Sequence, residues 1–222
     1  MASGAVVIRA VKGFHLCLKV QCDSIGICRR HVSAPDWEKD LDHRLGMEGD
    51  LRILVAQEQI AKRVREIARQ ISHDYKGRTL YAVCVLEQGF VFMADLIREL
   101  EVPVVCQFIR PDFKSQGATT EIFFSPEPKV VGADVLLIEG LVDSGVTSEF
   151  LIRTLLGRGA ASVRLVTLLD RQSARRVSLQ PDYFGFLVDE SYAVGYGLGS
   201  PLLGRNLPYI ASIVRKAAGQ QV

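Results

Sequence analysis

Two passages of this chain repeat one order of pieces: an apolar strand, a turn that contains glycine, a run with helical spacing, and a second apolar strand. The first runs through Leu80–Leu86, Gly89, the spaced residues Phe92, Leu96 and Leu100, and Val102–Ile109. The second runs through Asp134–Ile138, a glycine-bearing loop, a helix from about Ser148 to Leu156 with Gly157 and Gly159 as stops, and Val163–Leu169. Strands this uniformly apolar bury both faces, the habit of a parallel sheet, and the helices between them supply the cover. Upstream, Ile60, Val64, Ile67 and Ile71 recur at helical spacing between Gln57 and Tyr75, which predicts an amphipathic helix packed on the sheet and ended by Gly77. Downstream, the short pieces Tyr183–Val188 and Tyr192–Leu198 predict antiparallel strands or a hood at the sheet edge. The expected fold is α/β, a mostly parallel sheet flanked by helices, with a small hood and an N-terminal extension. Residues 1–46 form the extension and residues 47–222 the domain.

The connection between the two passages, Arg110–Pro128, is polar, rich in Gly, Thr, Ser and Pro, and relieved only by the short run Glu121–Phe124. It exceeds an ordinary connection, and loops of that kind serve as lids.

The extension is basic, with Arg9, Lys12, Lys19, Arg29 and Arg30 against Asp23 up to about residue 30, and Ala5–Cys22 has the mixed alternation of a hairpin. Its apolar residues are interrupted too often for a secretory h-region, so a cytoplasmic protein is expected. Five cysteines, an odd count, then argue for reduced thiols. Cys17, Cys22, Cys28 and His31 lack the paired Cys-x-x-Cys of most zinc sites, and no structural metal is expected there. A second reading makes Met47 the natural start and the preceding residues an upstream extension.

A formal charge of +2, the balance of 27 basic and 25 acidic residues, gives no global attraction to nucleic acid or to anionic membrane. Any polyanion site is therefore local. Apolar runs such as Val135–Ile138 stop at charges far short of a membrane span of roughly 18 residues. Arg171, Arg175 and Arg176, with Arg29 and Arg30, are the only support for a nucleic-acid regulator, and they read more simply as a solvated face.

In an open α/β sheet, ligands bind beyond the carboxyl ends of the strands, which directs attention to Glu139-Gly140-Leu141-Val142-Asp143-Ser144-Gly145-Val146-Thr147. Gly145 lets backbone approach a ligand, Ser144 and Thr147 bring hydroxyl donors, and the early amides of the next helix add positive potential at one point. That is an anion cradle. Glu139 and Asp143 flank it and suit sugar hydroxyls, Mg²⁺ or a proton. An ordinary helix cap by Ser144 or Asp143 would use the same residues.

The stretch Val135–Thr147 resembles the phosphoribosyl-binding signature of type I phosphoribosyltransferases: an apolar strand, acids, then Asp-Ser-Gly-x-Thr. Val83–Leu96, Asp182-Tyr183-Phe184-Gly185-Phe186, Val194-Gly195-Tyr196 and Arg205-Asn206-Leu207-Pro208 are similar in order and spacing to the hypoxanthine-guanine branch, so the resemblance covers Met47 to about Val214. It implies the type I phosphoribosyltransferase fold. It also implies transfer of phosphoribose from phosphoribosyl pyrophosphate to a 6-oxopurine, giving the nucleotide monophosphate and pyrophosphate. In that scheme Asp143 is the general base or proton partner of purine N7, and Glu139 contacts the ribose hydroxyls and a metal-ordered water. Asp143, Ser144, Gly145, Val146 and Thr147 hold the 5′-phosphate. Arg171, Tyr192 and Ala193 face the base, while Glu87, Gln88, Gly89 and Arg205 face the pyrophosphate. Mg²⁺ is the implied cofactor and a dimer or tetramer the implied assembly, for which Leu202-Leu203 offers an apolar contact.

Departures from the family pattern bear on the chemistry. Gly140 stands where a second acid is usual, and Gly199 where a metal-binding aspartate is usual, which weakens or relocates Mg²⁺. Arg171 replaces the lysine that reads the purine oxo group. Glu87-Gln88-Gly89 replaces Lys-Gly-Gly, setting a carboxylate against an anionic leaving group unless Glu87 turns away. Ser115-Gln116 replaces Ser-Tyr in the lid. Two functions follow from these residues: an active phosphoribosyltransferase, or a catalytically degenerate nucleotide-binding sensor on the same fold.

Overall fold

The computed structural model describes residues 21–22, 28–29, 49–116, 119–124, 128–189, 193–199 and 204–215. The chain divides into two compact units, Met1–Leu41 and Asp42–Val222. In the first, strands β1 (Gln21–Cys22) and β2 (Cys28–Arg29) pair antiparallel. The rest of the expected N-terminal hairpin, together with Cys17 and His31, lies outside the described residues.

The second unit is built on five parallel strands: β4 (Leu80–Val85), β5 (Val104–Ile109), β8 (Asp134–Val142), β9 (Ser162–Asp170) and β10 (Tyr183–Leu187), in the order β10-β9-β8-β4-β5. Among the described residues three helices cover it: α1 (Gln57–Asp74), α2 (Phe90–Glu99) and α3 (Val146–Gly157). Strand side chains alternate between faces. Ala82, Cys84, Leu136, Ile138, Val166 and Leu168 therefore pack with Ile60, Val64, Ile67 and Ile71 of α1 and Phe92, Met93 and Leu96 of α2. Val83, Val135, Leu137 and Leu165 point the other way, onto Leu151 and Leu155 of α3. Both faces of the central strands are buried, which explains why they read as unbroken apolar runs.

Three further strands form a separate antiparallel sheet: β3 (Gly49–Val55), β11 (Ala193–Val194) and β12 (Ile210–Arg215), in the order β11-β12-β3. This is the hood, but its make-up differs from the expectation. Tyr183–Leu187 is not antiparallel; it pairs parallel with β9, Tyr183 beside Val166 and Leu187 beside Asp170, and closes the main sheet. Burial on one side marks an edge strand without revealing its direction, which is set by the chain returning from the far end of β9. The hood instead recruits β3 and β12 from the two ends of the domain, a long-range pairing that no local pattern announces.

The segment after Ile109 is also more ordered than a polar loop. Strands β6 (Pro111–Gln116) and β7 (Thr119–Phe124) pair antiparallel, Pro111 opposite Phe124 and Gln116 opposite Thr119. Among the described residues no helix is long and apolar enough to cross a membrane.

Neighbours β4 and β8 send the chain to opposite faces, into α2 on one side and α3 on the other. Such a switch point opens a crevice at the carboxyl ends of the two strands. Phe92, fully buried in the α1–α2 layer, and Val131, 87% exposed, test this layering. Phe92→Ala is expected to lower unfolding free energy by roughly 3–5 kcal/mol and Val131→Ala by less than about 0.5, both measured by denaturant titration.

Candidate active site at the switch point

The carboxyl end of β8 delivers Glu139, Gly140 and then Asp143-Ser144-Gly145, and the chain enters α3 at once. Gly145 caps the helix at φ +76°, a conformation that a side chain would strain. Glu149 N–H donates to the Gly145 carbonyl at 2.9 Å, and Val146 N–H reaches Ser144 Oγ at 3.4 Å. The other early amides of α3 have no partner within the helix, so their dipoles converge in front of the loop.

The loop is held from behind by the segment that follows β9. Arg171 N–H donates to Val142 O at 3.0 Å and Arg176 N–H to Ser144 O at 2.9 Å. Arg175, counted on sequence grounds as part of a solvated face, is instead largely buried: it pairs with the buried carboxylate of Asp170. Its Nη1 lies 3.0 Å from where a Cβ on Gly145 would stand. Asp170 was not singled out from the sequence, and Arg175 was read there only as part of a solvated face. Their signal was an acid at the carboxyl end of a strand, where a buried charge needs a partner.

The two acids at the crevice occupy different surroundings. Asp143 is half-exposed and its Oδ1 pairs with Arg171 Nε at 2.8 Å. Glu139 is buried, and Oε1 has no hydrogen-bond partner among the described residues. Burial pushes the Glu139 carboxyl up to about 7, opposed by a hydrogen bond from Ser148 and by the charge of Arg175. The nearby Cys84 thiol is pushed up to about 12, by burial first and by Glu139 second.

Across the crevice, the loop Glu87-Gln88-Gly89 leaves β4, with a cis peptide between Leu86 and Glu87. The carboxylate of Glu87 turns to Arg205, whose Nη1 donates to it at 2.5 Å, and to Arg110, at 3.4 Å. The Arg205 hydrogen bond, then its charge, holds the Glu87 carboxyl below the usual carboxylate range. Arg205 Nη2 also approaches the Gly199 carbonyl at 3.4 Å. Beside it lies a cavity of about 260 Å³, lined in part by Asp95, Tyr196, Arg205 and Leu207, in which the Tyr196 hydroxyl donates to Asp95.

The two loops touch at Gly140. A Cβ there would fall 2.4 Å from the Gln88 carbonyl oxygen and 2.8 Å from a Leu198 methyl, so no second acid fits. At Gly199, φ is +102° and a Cβ would meet Val194 at 3.0 Å. Among the described residues no three His, Cys, Asp or Glu side chains gather to hold a metal. With Glu139 enclosed, Asp143 and Glu87 each paired to arginine, and glycine at both vacated acid positions, these residues do not form a Mg²⁺ cage. Of the base-facing positions, Arg171 stands beside Asp143, and Ala193 is buried in β11 opposite Ser212 of β12. Tyr192 lies outside the described residues, as does Leu202-Leu203.

A model of the phosphoribosyl transferase domain family matches residues 51–200. The chain is 35% identical over 165 residues to the hypoxanthine-guanine phosphoribosyltransferase of Bacillus subtilis, covering 72% of this chain and 91% of that protein. It is 36% identical over 171 residues to the bifunctional protein TilS/HprT of Listeria innocua, covering 74% of this chain but only 26% of that longer protein. A solved hypoxanthine-guanine phosphoribosyltransferase from Bacillus anthracis superimposes with a TM-score of 0.68 at 32% identity, over 75% of this chain and 98% of that one.

Two outcomes follow from the geometry. Gly140→Asp is expected to lose roughly 1–3 kcal/mol of stability through the clash with Gln88, and to gain no calorimetric Mg²⁺ binding in exchange. Between the ordinary glutamate value of 4.5 and about 7, the folded protein holds the Glu139 proton and the unfolded chain does not. Stability therefore falls as pH rises through that window, and the loss is complete above it. Glu139→Gln removes the loss, so the melting temperature of the variant relative to the parent is expected to rise from about pH 5 to about pH 8.

Proposed function

The chain belongs to the phosphoribosyltransferase family, in its hypoxanthine-guanine branch, and we propose that it performs that branch's reaction at the crevice between β4 and β8. Phosphoribosyl pyrophosphate is the donor, a 6-oxopurine such as hypoxanthine or guanine the acceptor, and nucleotide monophosphate and pyrophosphate the products. The observation that carries the reading is the anion cradle Ser144–Thr147 at the start of α3, with a half-exposed carboxylate, Asp143, at its lip.

In the reaction a purine nitrogen forms a bond to the anomeric carbon as the bond to the diphosphate oxygen breaks, and that bonding pair leaves with diphosphate. Positive charge gathers on the sugar and negative charge on the leaving group, so the work of the protein is placement and electrostatics. The amides and hydroxyls of Ser144–Thr147 hold the 5′-phosphate. Asp143 exchanges a proton with purine N7, and Glu139, deeper in the wall, addresses the ribose. Arg171 reads the 6-oxo group through a guanidinium fork, and Ala193, with Tyr192 by the family resemblance, is assigned to the base. Glu87, Gln88, Gly89 and Arg205 make the diphosphate end. No step is routed through a protein-held metal, for which the residues give no cage. The expected assembly is a homo-oligomer, a dimer or a tetramer, to be read by light scattering.

The test is nucleotide formation from phosphoribosyl pyrophosphate with hypoxanthine, guanine, xanthine and adenine in turn, with and without Mg²⁺. Product is expected from the oxopurines, with kcat/KM about 10²–10⁴-fold lower in Asp143→Asn. Tight binding of nucleotide monophosphate without product would overturn catalysis and leave a sensor.

A further inference from the structure

Three segments of different origin converge on one carboxylate. Glu87 sits on the loop between β4 and α2. Arg205 follows in the passage that leads to the hood strand β12. Arg110 lies between the end of β5 and the start of the β6–β7 hairpin. Arg205 reaches Glu87 Oε2 at 2.5 Å and Arg110 reaches Oε1 at 3.4 Å, so each oxygen of the carboxylate takes one guanidinium. Arg205 is mostly shielded, its side chain 21% exposed, and its Nε has no hydrogen-bond partner among the described residues. The same loop places the carbonyl of Gln88, next in sequence to Glu87, against Gly140.

Two guanidiniums held around one carboxylate keep a net positive charge and donors to spare, which is the arrangement that captures a phosphate group. Resting on the reading of the crevice as the phosphoribosyl pyrophosphate site, we propose that Glu87 is an internal counter-anion: it occupies Arg205 and Arg110 in the empty protein and is displaced from them by diphosphate. Glu87 thus sets the affinity for the diphosphate end of the substrate and for the diphosphate product. It does so without touching the base. Its carboxyl is held ionised through the neutral range by Arg205, so competition with diphosphate persists at working pH. The exchange is favourable because diphosphate brings more charge and more acceptor oxygens than the carboxylate it replaces. It is weaker than binding to unoccupied arginines because the Glu87 pairs must first break. It also ties substrate entry to the root of the hairpin, since release of Arg110 frees the residue that immediately precedes β6.

The experiment is titration calorimetry with inorganic diphosphate, and separately with nucleotide monophosphate, on the parent chain, Glu87→Gln and Glu87→Asp, alongside steady-state kinetics. Glu87→Gln keeps the shape and removes the charge. Because Glu87 is partly exposed and its pairs are screened, the expected gain is about three- to tenfold in diphosphate affinity, with a matching fall in KM for phosphoribosyl pyrophosphate. KM for the purine is expected to stay unchanged, and Glu87→Asp to bind diphosphate no tighter than the parent. Diphosphate binding that is unchanged or weaker in Glu87→Gln overturns the proposal, as does equal tightening in Glu87→Asp. A parent chain that binds neither diphosphate nor nucleotide monophosphate brings down the crevice reading itself. A parent that binds both, with no gain in Glu87→Gln, removes only the role of Glu87.

Discussion

The parallel pairing of β4 with β8 is the constraint on which the site depends. Cys84 sits beside Ile138 in that register, so the loops that leave the two strands emerge side by side. Because one loop turns to α2 and the other to α3 on the far face, the connections diverge beyond their contact at Gly140 and leave a crevice. The fold itself therefore supplies the crevice. Short loops line it, stiffened by the buried strands beneath them and by their own contacts, Arg171 N–H to Val142 O and Arg176 N–H to Ser144 O on one side and Arg205 to Glu87 on the other.

Charge in the crevice is organised as carboxylate–guanidinium pairs, one for each loop. Asp170 with Arg175 braces the anion cradle from behind, Asp143 with Arg171 stands at its lip, and Glu87 with Arg205 closes the opposite wall. The pairs do different work because their burial differs. Asp170 is enclosed, and breaking its pair would strand a charge in the interior, which makes Asp170 and Arg175 framework. The exposed carboxylates of Asp143 and Glu87 can exchange partners at modest cost, and exchange is what a reaction with two anionic ends requires. Glu139 is the exception. A hydrogen bond from Ser148 and the charge of Arg175 offset its burial in part, and it answers with a raised proton affinity instead of an ion pair.

The main sheet was legible in the sequence because burial on both faces leaves a continuous apolar run, and glycine marks where each run stops. Gln57–Asp74 was legible for the complementary reason, since one buried stripe on an otherwise charged helix repeats every three to four residues. The hood was only half legible. Tyr183–Leu187 shows the right burial and the wrong implied partner, and β3 with β12 pairs residues some 160 positions apart, which a local window cannot see. Within the site, the cradle could be read from Gly145 and its hydroxyl neighbours because the chemistry is contiguous. Arg175 could not, because its meaning comes from the burial of Asp170 and from the surface of Gly145, and the Gly145 contact is made only once β8 and β9 lie together.

Departures that look independent along the chain are linked in space. Gly140 and the loop Glu87-Gln88-Gly89 are separated by about fifty residues, yet the Gln88 carbonyl rests where any side chain at position 140 would begin. The carboxylate missing at 140 and the carbonyl that fills its place are therefore one packing solution, and neither can revert alone. The same holds across the crevice: Gly199 turns its carbonyl to Arg205, and Arg205 turns its guanidinium to Glu87. Acids are lost at 140 and 199 relative to the family pattern, and one is gained at 87 in place of a lysine. Against that pattern, negative charge stands at a position that engages Arg205 and Arg110 instead of at positions 140 and 199. On the proposed reading such a site relies on guanidinium placement, and Glu87, paired with Arg205 and Arg110, keeps those guanidiniums in place while the crevice is empty.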